Sequence, residues 1–376
     1  MAVHAIERPS TKPTAIAVVG STGFLGPFVV AALLRKHRDS KILCLNRSDN
    51  GKQRTISALQ QIDNSSLGYA ERLHFYTVDI TEANLGLDDS LRVTFASEVD
   101  EVIFNAWNPN WGIPLESFGP LLRAVRSAID ICHASPRRPR LLFMSSTCAI
   151  ADWPQMHPDQ PLMPEEPAWD NASATDKGYG LSKCQAEQLL AQAHARFGLC
   201  VTIVRAGQIG GPSSSNMGSQ GWPIQGSLYV IIRTSQRLGC WPKHVNALDW
   251  IPVDALAAGI ANATATARDD SDVRVFNMLH PDPAPWALFY QTLKDNFGLT
   301  AKEVSLAAWL DALHPQTFKM HAFFRKANGG RERACITFEN SNALRVLPCI
   351  ERITEGQLEG WLKGWKLRLE DVEAKL

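Results

Sequence analysis

Apolar residues fall into two rhythms along this chain. Ala15–Val19, Lys41–Leu45, Leu73–Val78, Glu101–Phe104, Arg140–Met144 and Val201–Val204 are short, nearly unbroken apolar runs. Between them, Pro27–Arg35, Lys52–Ile62, Ser117–His133 and Gly180–Phe197 space their apolar residues as helices do. Unbroken runs read as strands buried on both faces, and their alternation with helices predicts an α/β fold with a doubly wound parallel sheet. Beyond the last run, helices alternate with loops. Leu358, Trp361, Leu362 and Trp365 fall at i, i+3, i+4 and i+7, the face of a packing helix. The pattern divides the chain into a nucleotide-binding part, 14–260, and a smaller, mainly helical substrate part, 261–376, with 213–246 contributing to the substrate side. Pro- and Trp-rich stretches at 151–169 and 211–226 read as long loops, and residues 1–14 as a polar lead-in.

The first strand runs into Gly20-Ser21-Thr22-Gly23-Phe24-Leu25-Gly26 and then a helix. In that context a GxxGxxG turn indicates a Rossmann dinucleotide site. Gly20 allows the tight turn, Gly23 the approach of a pyrophosphate, and Gly26 close helix packing. The helix N-terminus offers free N–H groups to phosphates. Ligands of such sheets bind beyond the carboxyl ends of the strands, which directs attention to Arg47, Asp79, Asn105, Ser145–Thr147, Gly207 and Gln208. An NAD site usually places a carboxylate near the end of the second strand. Here Leu45-Asn46-Arg47-Ser48 has none before Asp49, and an arginine suits a 2′-phosphate. The expected cofactor is therefore NADP(H), with Arg54 a weaker second phosphate contact. Asp79 and Ile80 stand where an adenine contact is common.

Tyr179 and Lys183, four apart, share a helix face. An ammonium beside a phenol would lower the phenol's pKa and make it an acid or base near neutrality. The sequence also holds Tyr290-Gln291-Thr292-Leu293-Lys294, but only the Tyr179 copy follows a strand ending in Ser145-Ser146-Thr147. The catalytic set is Thr147, Tyr179 and Lys183, with Ser146 the second choice of hydroxyl.

Composition narrows the class. Thirty-eight basic and 38 acidic residues leave no net charge, which gives no reason to expect nucleic acid or a membrane surface. Cys44, Cys132, Cys148, Cys184, Cys200, Cys240, Cys335 and Cys349 are scattered, so no metal site and no disulfide scaffold is expected. No apolar run approaches a membrane span and no signal peptide opens the chain, so a reduced, cytoplasmic protein is expected. Among the 11 tryptophans, Trp107, Trp111, Trp153, Trp169 and Trp222 fall in loops at or after strand ends, where they could line an acyl pocket or anchor those loops. Arg233 and Arg237, four apart, read as a solvated basic face.

GSTGFLG, FNAWNPNW (104–111), MSSTCAI (144–150), GYGLSKCQAEQLL (178–190), VTIVRAGQIGGP (201–212) and LDWIPVD (248–254) together resemble the thioester reductase domain of the extended short-chain dehydrogenase/reductase superfamily. The nearest likeness is to the reductase that ends carboxylic acid reductases and fungal enzymes similar to nonribosomal peptide synthetases. The resemblance covers about residues 14–366. It implies reduction, with NADPH, of an acyl chain thioesterified to the phosphopantetheine arm of an acyl carrier protein, to an aldehyde or on to the alcohol. It assigns Gly20, Thr22, Gly23, Phe24, Leu25 and Gly26 to the pyrophosphate and Arg47 to the 2′-phosphate. Asn105, Ala106, Gly207, Gln208 and Ile209 would line the rest of the cofactor, and Lys183 would also hold the nicotinamide ribose. Trp107 and Cys184 depart from the broader pattern without touching the triad. The polar lead-in and the lack of adenylation and carrier domains fit a domain cut from a longer chain. A Dieckmann-type cyclase, a reductase of free carbonyl compounds and a non-catalytic NADPH sensor are the alternatives; the intact Tyr179–Lys183 pair favours reduction.

Overall fold

The computed structural model describes residues 13–62, 64–174, 178–214, 221–266, 272–313 and 338–367. Most of the polar lead-in, Cys335 and residues 215–220 of the second long loop lie outside them. The strands are β1 (Ala15–Val19), β2 (Lys41–Asn46), β3 (Leu73–Thr77), β4 (Val99–Phe104), β5 (Arg140–Ser146) and β6 (Val201–Ala206). A seventh, Arg274–Met278, pairs with β6. The order is β3, β2, β1, β4, β5, β6, then Arg274–Met278, and every pair is parallel.

Both faces of the sheet are covered. On one lie α1 (Gly26–Lys36), α2 (Gly51–Ile62) and, from later in the chain, Val253–Ala265. On the other lie α3 (Asp89–Glu98), α4 (Gly119–Ala134) and, beyond the short α5 (Trp153–Met156), α6 (Gly178–Phe197). All five residues of β1 are fully buried, which explains the unbroken apolar run. Pro27 opens α1 and Arg35 and Lys36 close it, each at the end its chemistry favours.

The seventh strand was not expected. Arg274 and Asn277 interrupt its apolar run, and its partner lies some seventy residues upstream, so no local periodicity marks it. It carries the sheet beyond residue 260. Asn277 is buried because its amide Nδ2 donates to the Met163, Pro164 and Glu339 carbonyls. Glu165 finishes this edge: its carboxylate accepts from the backbone N–H groups of Asn277, Asn342 and Ala343, the last two in the first turn of helix Ser341–Val346.

The second lobe packs on a tryptophan-rich core. Trp222, Trp241, Trp250, Trp286, Trp309, Trp361 and Trp365 are all buried there. The expected packing helix spans Glu355–Lys363, opened by a Thr354–Gln357 capping box. Its Trp361 lies against Gly210 and Gly211, where an added Cβ would come within 2.8 and 2.3 Å of the ring. The same indole donates to the Pro212 carbonyl at 2.9 Å. No helix among the described residues is long and apolar enough to cross a membrane.

Beneath the end of β5 lies a fully buried ion pair. Arg205 of β6 donates to Glu187 of α6 through Nε at 2.9 Å and Nη2 at 2.6 Å. Arg205 also donates to the carbonyls of Pro164 and Glu166, while Glu187 accepts from Ser145 Oγ and Ala168 N–H. Breaking such a pair from one side leaves a bare buried charge. Arg205→Met should therefore destabilise the protein by about 3–5 kcal/mol, and the double change Arg205→Met/Glu187→Leu by less than the sum, read from urea unfolding midpoints.

Candidate functional site

The glycine turn is built by close approach. Gly20 has φ +89°, a conformation that L side chains rarely adopt, and an added Cβ would come 3.0 Å from the Ala106 backbone nitrogen. Asn105 braces it by donating from Nδ2 to the Gly20 carbonyl at 2.9 Å. Gly26 is jammed against Ser21, where a Cβ would meet backbone at 2.5 Å. Gly23, by contrast, has nothing within 4 Å of where its Cβ would stand. No side chain caps α1, and its first turn holds no acidic residue. The turn thus presents an open backbone and a bare helix N-terminus, a cradle that fits a pyrophosphate.

Arg47 is exposed at the end of β2. Asp79 is exposed after β3, and hydrogen bonds from Thr81 N–H and Oγ1, with Arg47 a lesser influence, hold its carboxyl below the ordinary range. Ile80, which follows it, is half-buried against the core. Arg54 donates to the Thr22 carbonyl at 3.2 Å. With Thr22, Gly23 and Phe24 it lines a cleft of about 1260 Å³ whose far wall is Trp222, Gly360 and Trp361. Gln208 turns its amide toward the Ile209 carbonyl and Gln225, and Gly207 abuts Leu279. Ile209 is itself tied down, its carbonyl accepting from Trp222 Nε1 at 2.8 Å.

Tyr179 and Lys183 stand in the first turns of α6, at the carboxyl end of β5. Gly178 makes this possible: an added Cβ there would meet the Ile113 carbonyl oxygen at 2.5 Å and the Leu115 nitrogen at 2.7 Å. The 111–118 loop consequently closes onto Tyr179. Trp111 stacks on the phenol ring with centroids 5.4 Å apart and planes at 16°, and Phe118 meets it edge-on at 6.3 Å. Burial pushes the phenol's pKa up, and the Ser146 hydroxyl pulls it partly back. Ser146 is buried, whereas Thr147 is half-buried and opens the short turn Thr147–Ile150.

Lys183 is also buried, and loss of hydration pushes its ammonium pKa well down, with Glu187 opposing. Its Nζ donates to the Met144 carbonyl and lies 4.2 Å from the Trp107 ring centroid. Two expectations are corrected here. Burial raises the cost of either charge, so the Tyr179 pKa is raised rather than lowered as expected beside a lysine. Trp107, expected to stand clear of the triad, touches Lys183. Cys184, the other departure, turns away to the Asp170 carbonyl, and burial raises its thiol pKa to about 12.

Nor do the five loop tryptophans line one pocket. Trp107 and Trp111 meet the Tyr179–Lys183 pair, and Trp222 joins the second lobe's core. Trp153 stacks on His157, and Trp169 is 66% exposed. The Tyr290 copy is a packing element, its hydroxyl donating to the Ala301 carbonyl and its ring stacked on Trp241.

This geometry can be set beside known proteins. The NAD-binding family model described as male sterility protein matches residues 18–260. The chain belongs to the male sterility protein family. The chain is also 30% identical over 315 residues to a carboxylic acid reductase of Neurospora crassa, covering 81% of this chain and 29% of that protein. It is similar in fold to the terminal R domain from the myxalamid PKS-NRPS biosynthetic pathway, at TM-score 0.76 and 21% identity, covering 95% of this chain and 91% of that one. It is likewise similar to a thiolation-reductase di-domain from an archaeal non-ribosomal peptide synthetase, at TM-score 0.73 and 18% identity, covering 94% and 76%. The chain spans under a third of the length of the curated relatives it matches.

Sequence reasoning missed Glu187, Arg205, Phe118 and Phe143, which the fold gathers around Tyr179 and Lys183. Glu187 carried a signal, since Tyr179, Lys183 and Glu187 recur every four residues and a carboxylate on a buried helix face needs a partner. The aromatic residues carried none, because each reads as ordinary core.

Two outcomes follow. Gly178→Ala should push the 111–118 loop off Tyr179, costing about 1–3 kcal/mol of stability and weakening the near-ultraviolet dichroism of the Trp111–Tyr179 stack. Asp249, in the LDWIPVD stretch, has its carboxyl pKa raised by burial to about 6. The folded chain keeps that proton while the unfolded chain loses it near pH 4, so stability falls as pH rises between the two. Asp249→Asn should raise stability at pH 8 by about 2–3 kcal/mol and change it little at pH 4, measured by denaturant titration at both.

Proposed function

We propose that this chain is an NADPH-dependent thioester reductase that releases an acyl chain from a carrier protein's phosphopantetheine arm as an aldehyde. One observation carries the reading: Tyr179, Lys183 and the Ser146–Thr147 hydroxyls gather at the same carboxyl edge of the sheet as the open glycine turn. The named reductases among its relatives, and a di-domain of this fold that includes a thiolation domain, support the substrate class.

Gly20, Thr22, Gly23, Phe24, Leu25 and Gly26 would hold the cofactor's pyrophosphate, Arg47 its 2′-phosphate, and Asp79 and Ile80 its adenine. Asn105, Ala106, Gly207, Gln208 and Ile209 would flank it toward the nicotinamide, with Lys183 on the ribose. When bound, NADPH supplies the hydride that the thioester carbonyl carbon receives. The chain's own part is to manage the oxygen. Thr147 and Tyr179 donate to it as negative charge develops there, and donors held in place need no reorganisation. The raised pKa of Tyr179 keeps its proton in place at neutral pH until the oxygen takes it. The thiohemiacetal then collapses, expelling the pantetheine thiol and leaving the aldehyde.

The reading is tested by following NADPH with acyl-pantetheine and acyl-carrier thioesters and identifying products by mass spectrometry. NADPH loss matched by aldehyde or alcohol, reduced about 10²–10⁴-fold in Tyr179→Phe, is expected. Release of a cyclised product without NADPH loss would overturn it in favour of a Dieckmann-type cyclase. Turnover of free carbonyl compounds alone would remove the carrier protein. Arg47→Ala should weaken NADPH binding about 10–100-fold and leave NADH binding unchanged, measured by calorimetry.

A further inference from the structure

The Lys183 ammonium sits between two aromatic faces. Its Nζ is 4.2 Å from the Trp107 centroid and 4.6 Å from that of Phe143. The Trp107 indole is fixed from behind: Nε1 donates to Ser182 Oγ at 3.3 Å, and the ring stacks on Phe118 at 6.3 Å and 19°. Phe118 in turn meets Tyr179 edge-on. One tryptophan therefore touches the lysine directly and the tyrosine through a single intervening ring.

We infer that Trp107 is a positioning residue for the Tyr179–Lys183 pair, its indole face holding the Lys183 ammonium in place while its stack on Phe118 sets the Tyr179 ring. The inference rests on the reading of Tyr179 and Lys183 as the working pair.

The charges around Lys183 explain why rings carry this task. From α6 itself comes Glu187; from the turn after β5 comes Cys148, whose thiol pKa burial raises to about 12. Glu187 is bound through both carboxylate oxygens to Arg205 of β6. The cation that Glu187 balances most directly is Arg205. Beyond the Met144 carbonyl, what faces the ammonium is the negative face of each ring, the surface that attracts a dehydrated cation.

The first arm of the test needs no turnover. The full chain is labelled with 5-fluorotryptophan, and the Trp107 resonance is assigned by its loss in Trp107→Phe. It should titrate with pH in the parent protein and stop titrating in Lys183→Met. A resonance indifferent to both pH and Lys183→Met overturns the inference. The second arm is the pH profile of kcat/KM. Trp107→Leu should move its high-pH limb about one pH unit lower, while Trp107→Phe, which keeps a ring, leaves the limb in place. Activity lost in Trp107→Leu with the limb unmoved reduces Trp107 to packing and also overturns the inference. If Trp107→Leu fails to fold, Trp107→Phe and Lys183→Met still decide through the fluorine signal. Full activity in Tyr179→Phe would instead overturn the reading of the pair itself, with the fluorine titration still reporting the contact.

Discussion

The ion pair between Glu187 and Arg205 organises the working end of this molecule. It joins α6 to β6, and through Ser145 to β5. It also fixes the Pro164–Ala168 stretch, whose carbonyls and N–H groups complete both partners' hydrogen bonding. Lys183 lies one helical turn before Glu187 and Tyr179 two turns before. The orientation of α6 about its own axis is thus set by a buried charge with no freedom to turn away, and the candidate catalytic face follows from it.

Much of this architecture could be read from the chain because the physics there is local. Five of the six apolar runs are buried on both faces, as strands of a covered parallel sheet must be, and the sixth, β3, is half-buried at the sheet edge. The glycine turn is legible by its own spacing, although only Gly26 answers to a neighbour within the turn, Ser21, while Gly20 is demanded by the backbone at Ala106 beyond β4. The seventh strand escaped because what stabilises it is remote: the Met163, Pro164 and Glu339 carbonyls accept from the Asn277 amide, and Glu165 accepts from its backbone N–H.

The candidate site divides along the same line. Tyr179 and Lys183 could be located by their spacing and by the strand before them. Their electrostatics could not, because these depend on burial. A lysine written next to a tyrosine on a helical wheel suggests a lowered phenol pKa; the folded chain instead removes water from both and surrounds the lysine with Trp107 and Phe143. A tryptophan in a loop says nothing about whether it will stack on Tyr179, as Trp111 does, or join a distant core, as Trp222 does.

The pairing of Arg274–Met278 with β6 also has a meaning for synthesis. On the ribosome, β6 is complete at Ala206, but the strand that covers its outer edge is finished only at Met278. At ordinary translation speeds that gap lasts several seconds. Throughout it, an apolar strand with an unpaired outer edge stands at the margin of the nascent sheet, and Arg205, whose partners Glu187, Pro164 and Glu166 all precede it in the chain, is the one charge within it. The excursion between β6 and its partner contains the residues that begin the second lobe, so the lobe must be threaded out and returned before the sheet is closed. The interval in which this edge stands open is therefore written into the topology.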